Sequence, residues 1–221
     1  MQNWKPLIAE FIGTFALIFI GAGAICLDVT KGGVGLVGIA LAHGLAIAVM
    51  VSAVGHISGG HLNPAVTIGA WVAKKISTPN AVGYILAQLA GATVAACKLK
   101  YLYPALAAAP TALGTPMLAS TLTFGQGICV EAILTFFLVF VVFGTGIDPR
   151  GSKIGGLAIG LAVTMDILMG GPLTGAAMNP ARAFGPALVS GYWMNQSLYW
   201  IGPIAGGLLA GLIYKWAFLK D

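Results

Sequence analysis

Charge is what this chain has least of. Asp and Glu together number 6, Lys and Arg 11, and charged residues make up 8% of the 221. An ordinary soluble domain carries about 25%, so there is too little charge here to clothe a water-soluble globule. Cysteine is also scarce. Cys26, Cys97 and Cys129 fall in or near apolar runs without metal-ligand spacing, which leaves them as packing residues that say little about redox compartment. Three histidines and six carboxylates form neither a nucleophile–base pair nor a metal cluster. No enzyme, cofactor or metal is expected. The net charge of +5 would suit an acidic partner such as nucleic acid, but the positions of the basic residues point elsewhere.

What the chain does have is apolar length. Hydrophobic residues make up 58%, and a helix needs about 20 of them in a row to cross a bilayer. Six spans are predicted, near Pro6–Cys26, Val34–Val54, Asn80–Lys100, Phe124–Gly144, Ile154–Met169 and Leu198–Phe218. The first is too long for a cleavable signal and carries Glu10. With the N-terminus inside, Lys5, Lys74, Lys75, Arg150, Lys153, Lys215 and Lys220 fall on the cytoplasmic side, and only Lys31, Lys98 and Lys100 outside. That bias predicts a multi-pass integral membrane protein with both termini cytoplasmic. A cell membrane is expected ahead of a vacuolar one. The basic charge reports topology.

Two tripeptides carry the most information. Asn63-Pro64-Ala65 and Asn179-Pro180-Ala181 lie 116 residues apart (179 less 63), each led in by Ser58-Gly59 or Thr174-Gly175. Asn as cap with Pro at the first helical position is ordinary helix-start chemistry, so one copy would mean little. Two copies with matching flanks divide the chain into halves. The runs that follow, Pro64–Val72 and Pro180–Val189, span only half a bilayer at 1.5 Å per residue. The flanking stretches His56–Leu62 and Gly170–Met178 are expected as non-helical backbone, tolerated at membrane depth only where protein buries it or it lines a wet cavity.

The halves match elsewhere too. Glu10 precedes Thr14 by four residues in the first span, as Glu131 precedes Thr135 in the fourth, and Ala90-Gly91 corresponds to Ala205-Gly206. Small residues at four-residue steps (Gly83, Ala87 and Gly91; Gly202 and Gly206; Gly207 and Gly211) suit close helix packing. Three spans per half is an odd number, so the second half enters from the opposite side. The predicted fold is an all-α membrane protein of six transmembrane helices plus two re-entrant half-helices, an inverted repeat around a central pore. It is one channel domain over 1–221, with repeats at about 1–103 and 123–221 and a linker loop at 104–122.

The chain resembles the aquaporin (major intrinsic protein) family over nearly its whole length. The residues that carry the likeness are Ala9-Glu10-Phe11-x-Gly13-Thr14, Gly55 through Thr67, and Met178 through Ala187; Ile167 through Pro172 and Tyr199 through Pro203 suggest the tonoplast intrinsic protein branch. The resemblance implies a water-conducting pore in each protomer and a homotetramer. Asn63 and Asn179 would offer amide N–H groups to passing water where the half-helix N-termini meet. Backbone carbonyls of Gly59, Gly60, His61, Leu62, Gly175 and Ala177, with Ala176, would line the path. Glu10 and Glu131 would brace the loops.

By the same resemblance His43, Ile167, Ala176 and Arg182 form the selectivity filter. Strict water channels carry an aromatic at the place of His43 and a His at that of Ile167. The wider, half-apolar opening here implies passage of ammonia, hydrogen peroxide or urea beside water. The alternative is a glycerol or small-solute facilitator with water secondary, but that branch has Asp after the filter Arg, where this chain has Ala183. The third loop holds no His to join the filter. Asp166, one residue before Ile167, fits either a satisfied interior carboxylate or a group tuning the pore. A secondary transporter would need midplane ion ligands. A structural membrane protein with a vestigial pore would not need the Asn pair and Arg182.

Overall fold

The computed structural model describes residues 4–219, so Lys220 lies outside them. These residues form α1 (Trp4–Lys31), α2 (Gly35–Ser58), α3 (Pro64–Val72), α4 (Thr78–Leu102), α5 (Phe124–Val142), α6 (Gly155–Thr174), α7 (Pro180–Ser190) and α8 (Leu198–Ala217). No strand occurs among them. Six helices are long and apolar enough to cross a membrane; α3 and α7, with 9 and 11 residues, are half-length. Lipid offers backbone groups no hydrogen-bond partner, which is why the spans are helical throughout. Their outward faces are stripes of apolar side chains, such as Val37, Leu41, Leu45 and Val49 on α2.

The halves interlock. Helix α1 packs on α2 and α4, and α5 packs in the same way on α6 and α8. The half-helices are exchanged, with α3 lying on α8 and α7 on α4. Small residues allow the close approaches, and they do so in pairs. A Cβ on Gly91 would sit 2.4 Å from the Phe11 carbonyl oxygen of α1, and one on Gly206 would sit 2.1 Å from that of Ala132 on α5. Helices α2 and α6 cross at the centre, where Gly44 and Gly160 meet back to back.

Two expectations change. The stretches His56–Leu62 and Gly170–Met178 are not extended throughout, because α2 continues to Ser58 and α6 to Thr174. Glycine weakens a helix by only about 1 kcal/mol, less than the cost of unpaired backbone at that depth. Non-helical chain is therefore confined to residues 59–63 and 175–179. Helix α1 runs past Cys26 to Lys31, and α5 ends in a π-helical turn, Phe143–Ile147. The linker loop after α4 holds two short 3-10 turns, and Leu113 is fully buried. The start of both half-helices is at the proline, with Pro64–Val72 unchanged and α7 one residue longer than expected.

Candidate functional site

Each re-entrant loop begins where a helix is stopped by glycine. Gly59 at φ 90° and Gly175 at φ 80° take the left-handed conformation, and their N–H groups bond back to the carbonyls of Gly55 and Gly171, both at 2.9 Å. The two loops then repeat each other's backbone. Gly60 and Ala176 have φ 62° and 42°, Leu62 and Met178 φ 50° and 51°. Three of these four positions are non-glycine residues in a region that costs them about 1–2 kcal/mol each, so something must hold them there.

Two buried carboxylates do so. Glu10 Oε1 accepts from the Ser58 hydroxyl (2.6 Å) and His61 N (2.9 Å), and Oε2 from Leu62 N (2.6 Å) and Gln88 Nε2 (2.7 Å). Glu131 Oε1 accepts from the Thr174 hydroxyl (2.7 Å) and Ala177 N (2.9 Å), and Oε2 from Met178 N (2.7 Å). Ser58 and Thr174 in turn accept from Gly60 N and Ala176 N. The hydroxyl before each glycine thus ties the helix end, the carboxylate and the loop together. Tyr84 and Tyr199 finish the job by donating to the carbonyls of Ser58 and Thr174. Ser58 and Thr174 belong to the repeated Ser/Thr-Gly lead-in, and Tyr84 recurs as Tyr199 at the 115-residue offset of Ala90 and Ala205; Gln88 has no counterpart that a sequence reading could use.

The asparagines are fixed in orientation. Asn63 Oδ1 accepts from Ala65 N at 2.8 Å, and Asn179 Oδ1 from Ala181 N and Arg182 N at 3.0 and 3.2 Å. Each is an N-cap worth about 1 kcal/mol. The amide nitrogens reach across: Asn63 Nδ2 donates to the Met178 carbonyl (2.8 Å) and Asn179 Nδ2 to the Leu62 carbonyl (2.9 Å). A carboxamide nitrogen has two hydrogens, so each keeps one for the cavity that both residues line.

That cavity is narrow, with room of about 30 Å³ for water. At roughly 10–15 Å³ per water, it holds a short single file. Its wall brings together His43, Ile167, Ala176 and Arg182 with Gly60, His61, Ala177 and Met178. Gly59, Leu62 and Gly175 lie off this narrow stretch: Gly59 borders a wider opening with His61, and Gly175 one with Arg182. The two glycines end helices, and Leu62 is fully buried with its carbonyl engaged by Asn179. Met178 takes a place on the wall that the sequence did not mark. Asp166 is buried on α6 and also off the wall.

Polar atoms at the His43–Arg182 end have no protein partner. Arg182 is 3% exposed and its Nη1 makes no hydrogen bond. His43 Nδ1 lies 2.9 Å from the Ile39 carbonyl. A carbonyl only accepts, so Nδ1 carries the proton, and Nε2 of the neutral ring is a free acceptor. One donor and one acceptor therefore face the cavity beside the apolar Ile167 and the small Ala176. At the other end Ser58, Gly59, His61, Lys75, Tyr84 and Ile147 surround a wider opening.

Comparison with known proteins agrees with this geometry. The family profile described as "Major intrinsic protein" matches residues 1–214. The chain is 45% identical over 226 residues to "Aquaporin TIP4-4" of Zea mays, covering 98% of this chain and 88% of that one. To "Aquaporin-4" of Mus musculus it is 42% identical over 226 residues, covering 99% and 68%. The X-ray structure of the aquaglyceroporin from Plasmodium falciparum superposes with a TM-score of 0.85 at 27% identity, covering 96% of each chain. With its six spans, paired half-helices and two Asn-Pro-Ala caps, the chain belongs to the major intrinsic protein family of membrane channels, the aquaporins.

Proposed function

We propose that this protein is a passive water channel that excludes protons and ions and also passes small neutral solutes such as ammonia, hydrogen peroxide or urea. The observation that carries the reading is the crossed pair of Asn63 and Asn179. Each side chain is locked by its own helix and the opposite loop, leaving one N–H directed at water. A water that accepts from both has its hydrogens turned away from its neighbours along the file, so a proton cannot be relayed through it. Both half-helix N-termini add about half a positive charge at the same place, which repels cations and leaves neutral water unaffected.

Arg182 adds a fixed charge at the filter, where pore lining and electrostatic barriers set selectivity. The donor–acceptor pair of Arg182 and His43 suits solutes that both accept and donate. Ile167 and Ala176 leave the opening wider and less polar than a second histidine would. On this reading the protein works as a homotetramer of independent pores with both termini cytoplasmic, which the Lys and Arg bias supports.

Purified protein in liposomes tests the reading in one preparation. Osmotic water permeability should rise well above that of empty vesicles, with no proton flux in a pH-gradient assay. Uptake of ammonia, urea and glycerol in the same vesicles ranks the solutes. Water permeability equal to that of empty vesicles would overturn the proposal, and proton flux rising with water would overturn the exclusion.

A further inference from the structure

We infer that Gly21 on α1 is a positioning residue for the filter: it sets how far the His43 ring projects into the pore. The inference rests on the filter reading of His43 given above. A Cβ built on Gly21 would meet three atoms of that ring and nothing nearer: Cδ2 at 2.4 Å, Nε2 at 2.5 Å and Cγ at 2.7 Å. All are well inside the 3.4 Å at which ordinary contact begins. The imidazole therefore lies flat against bare α1 backbone and occupies the space a side chain would take.

The ring has little freedom to accommodate an intruder. Its Nδ1 is held by the Ile39 carbonyl one turn earlier on its own helix. His43 is 4% exposed and lies between α1 and the cavity, so the cavity is the space it has to move into. A methyl group at position 21 pushes the ring about 1 Å in that direction, enough to restore contact distance. In a water file of only about 30 Å³, that displacement closes part of the cross-section beside Arg182. It also carries the free Nε2 acceptor with it.

Other close glycines differ in what they face. A Cβ on Gly13 would meet the end of the flexible Leu62 side chain, and one on Gly91 would meet the backbone of Phe11. At Gly21 alone of these three is the obstructed group one that faces permeating solute. Nor does the helix require glycine there: Ala is the better helix former by about 1 kcal/mol. The substitution Gly21→Ala thus acts through the ring and not through loss of helix.

The test is a two-by-two set in liposomes: wild type, Gly21→Ala, His43→Ala and the double variant. The readout is the permeability ratio to water of the widest solute that wild type passes, or per-channel water permeability if wild type passes water alone. Gly21→Ala should lower that readout roughly tenfold, the discrimination that one methyl group exerts in a tight site. In the His43→Ala background the same change should have no effect, because there is no ring to push. If Gly21→Ala fails to fold, recovery of folded protein by the double variant supports the contact, and failure of both overturns it. An equal drop in both backgrounds overturns the inference, as does no drop with Gly21→Ala while His43→Ala raises the ratio. No effect of His43→Ala in either case removes the filter reading itself, and this inference with it.

Discussion

Replacing Glu131 by Gln isolates what the carboxylate contributes, because shape is kept while one acceptor oxygen becomes a donor. In wild type its two oxygens receive the Thr174 hydroxyl, Ala177 N and Met178 N. If the Gln oxygen takes the Oε1 place, it keeps the first two and faces Met178 N with an NH₂. If it takes the Oε2 place, the Thr174 hydroxyl can turn to accept, but Ala177 N is left facing NH₂. Either way one buried backbone N–H loses its partner, at about 1–3 kcal/mol. Glu131→Ala abandons all three donors and opens a cavity, so it should cost roughly three times as much. The two strained positions Ala176 and Met178, at φ 42° and 51°, then have nothing to hold them. Unfolding of the detergent-solubilised protein, read as the shift in stability for Gln and for Ala, gives the ratio directly. Equal losses for the two variants, or losses below ~0.5 kcal/mol for both, would refute the reasoning. They would mean that pore water takes the carboxylate's place at no cost.

Other consequences can be checked in the same preparations. Arg182→Val should admit larger neutral solutes and some cations by removing bulk and charge together, and Ile167→His should lower urea or ammonia flux while water continues; unchanged solute-to-water ratios in both would place the filter elsewhere. Cys26 is fully buried and no cysteine lines the cavity, so mercurials should leave water permeability intact; a fast, reversible block removed by Cys26→Ser would contradict this. Beyond the end of α5, Arg150 donates to Asp148 through Nε at 2.9 Å and Nη2 at 2.6 Å, and to the Phe218 carbonyl at the end of α8. Those bonds hold the Asp148 carboxyl well below the usual carboxylate range. A depressed value means the stabilisation is complete above about pH 3.9, the unfolded value, and is lost only as pH falls through the folded one. Hydrogen exchange of the Asp148 and Arg150 amides should therefore be equally protected at pH 5 and 8 once corrected for intrinsic rate, and Asp148→Asn should lose protection at both; protection that fades by pH 5 would refute it.

What the sequence made legible was whatever repeats in local chemistry. Asn-Pro is both a cap and a helix start, so Pro64 and Pro180 could be read as the first residues of α3 and α7. Glu10 and Glu131 stood out because an ionisable group in an apolar run is costly. The ends of α2 and α6 were misjudged because glycine is read as a breaker. In lipid, a helix persists through glycine until a residue adopts positive φ, and only Gly59 and Gly175 do so at those ends. Gln88 and Gly21 were not legible at all. Each acts through a partner far away in the chain, Glu10 and His43, and neither spacing nor composition records such a contact.

The repeat also bears on why the proposed filter lies at one end of the pore. Adding or subtracting the same 116 residues carries His43 onto Ile159, Ile167 onto Val51, Ala176 onto Gly60 and Arg182 onto Val66. All eight residues line the cavity, so the fold builds two rings on equivalent backbone, one at each side of the Asn pair. The scaffold cannot tell the rings apart. Both have a braced loop, a left-handed glycine and a capped half-helix. The difference lies wholly in side chains: one ring holds a cation and an imidazole, and its mate holds Val51, Gly60, Val66 and Ile159, none with a polar side chain. On the proposed filter reading, fixed-charge discrimination falls to the His43–Arg182 ring, and beside its mate the loop contributes His61, which also lines the cavity. The apolar ring itself can select only by width, and there His61, the backbone of the loop and the next water in the file are a permeating molecule's remaining partners. A symmetric scaffold thus carries two different rings through four substitutions between its halves.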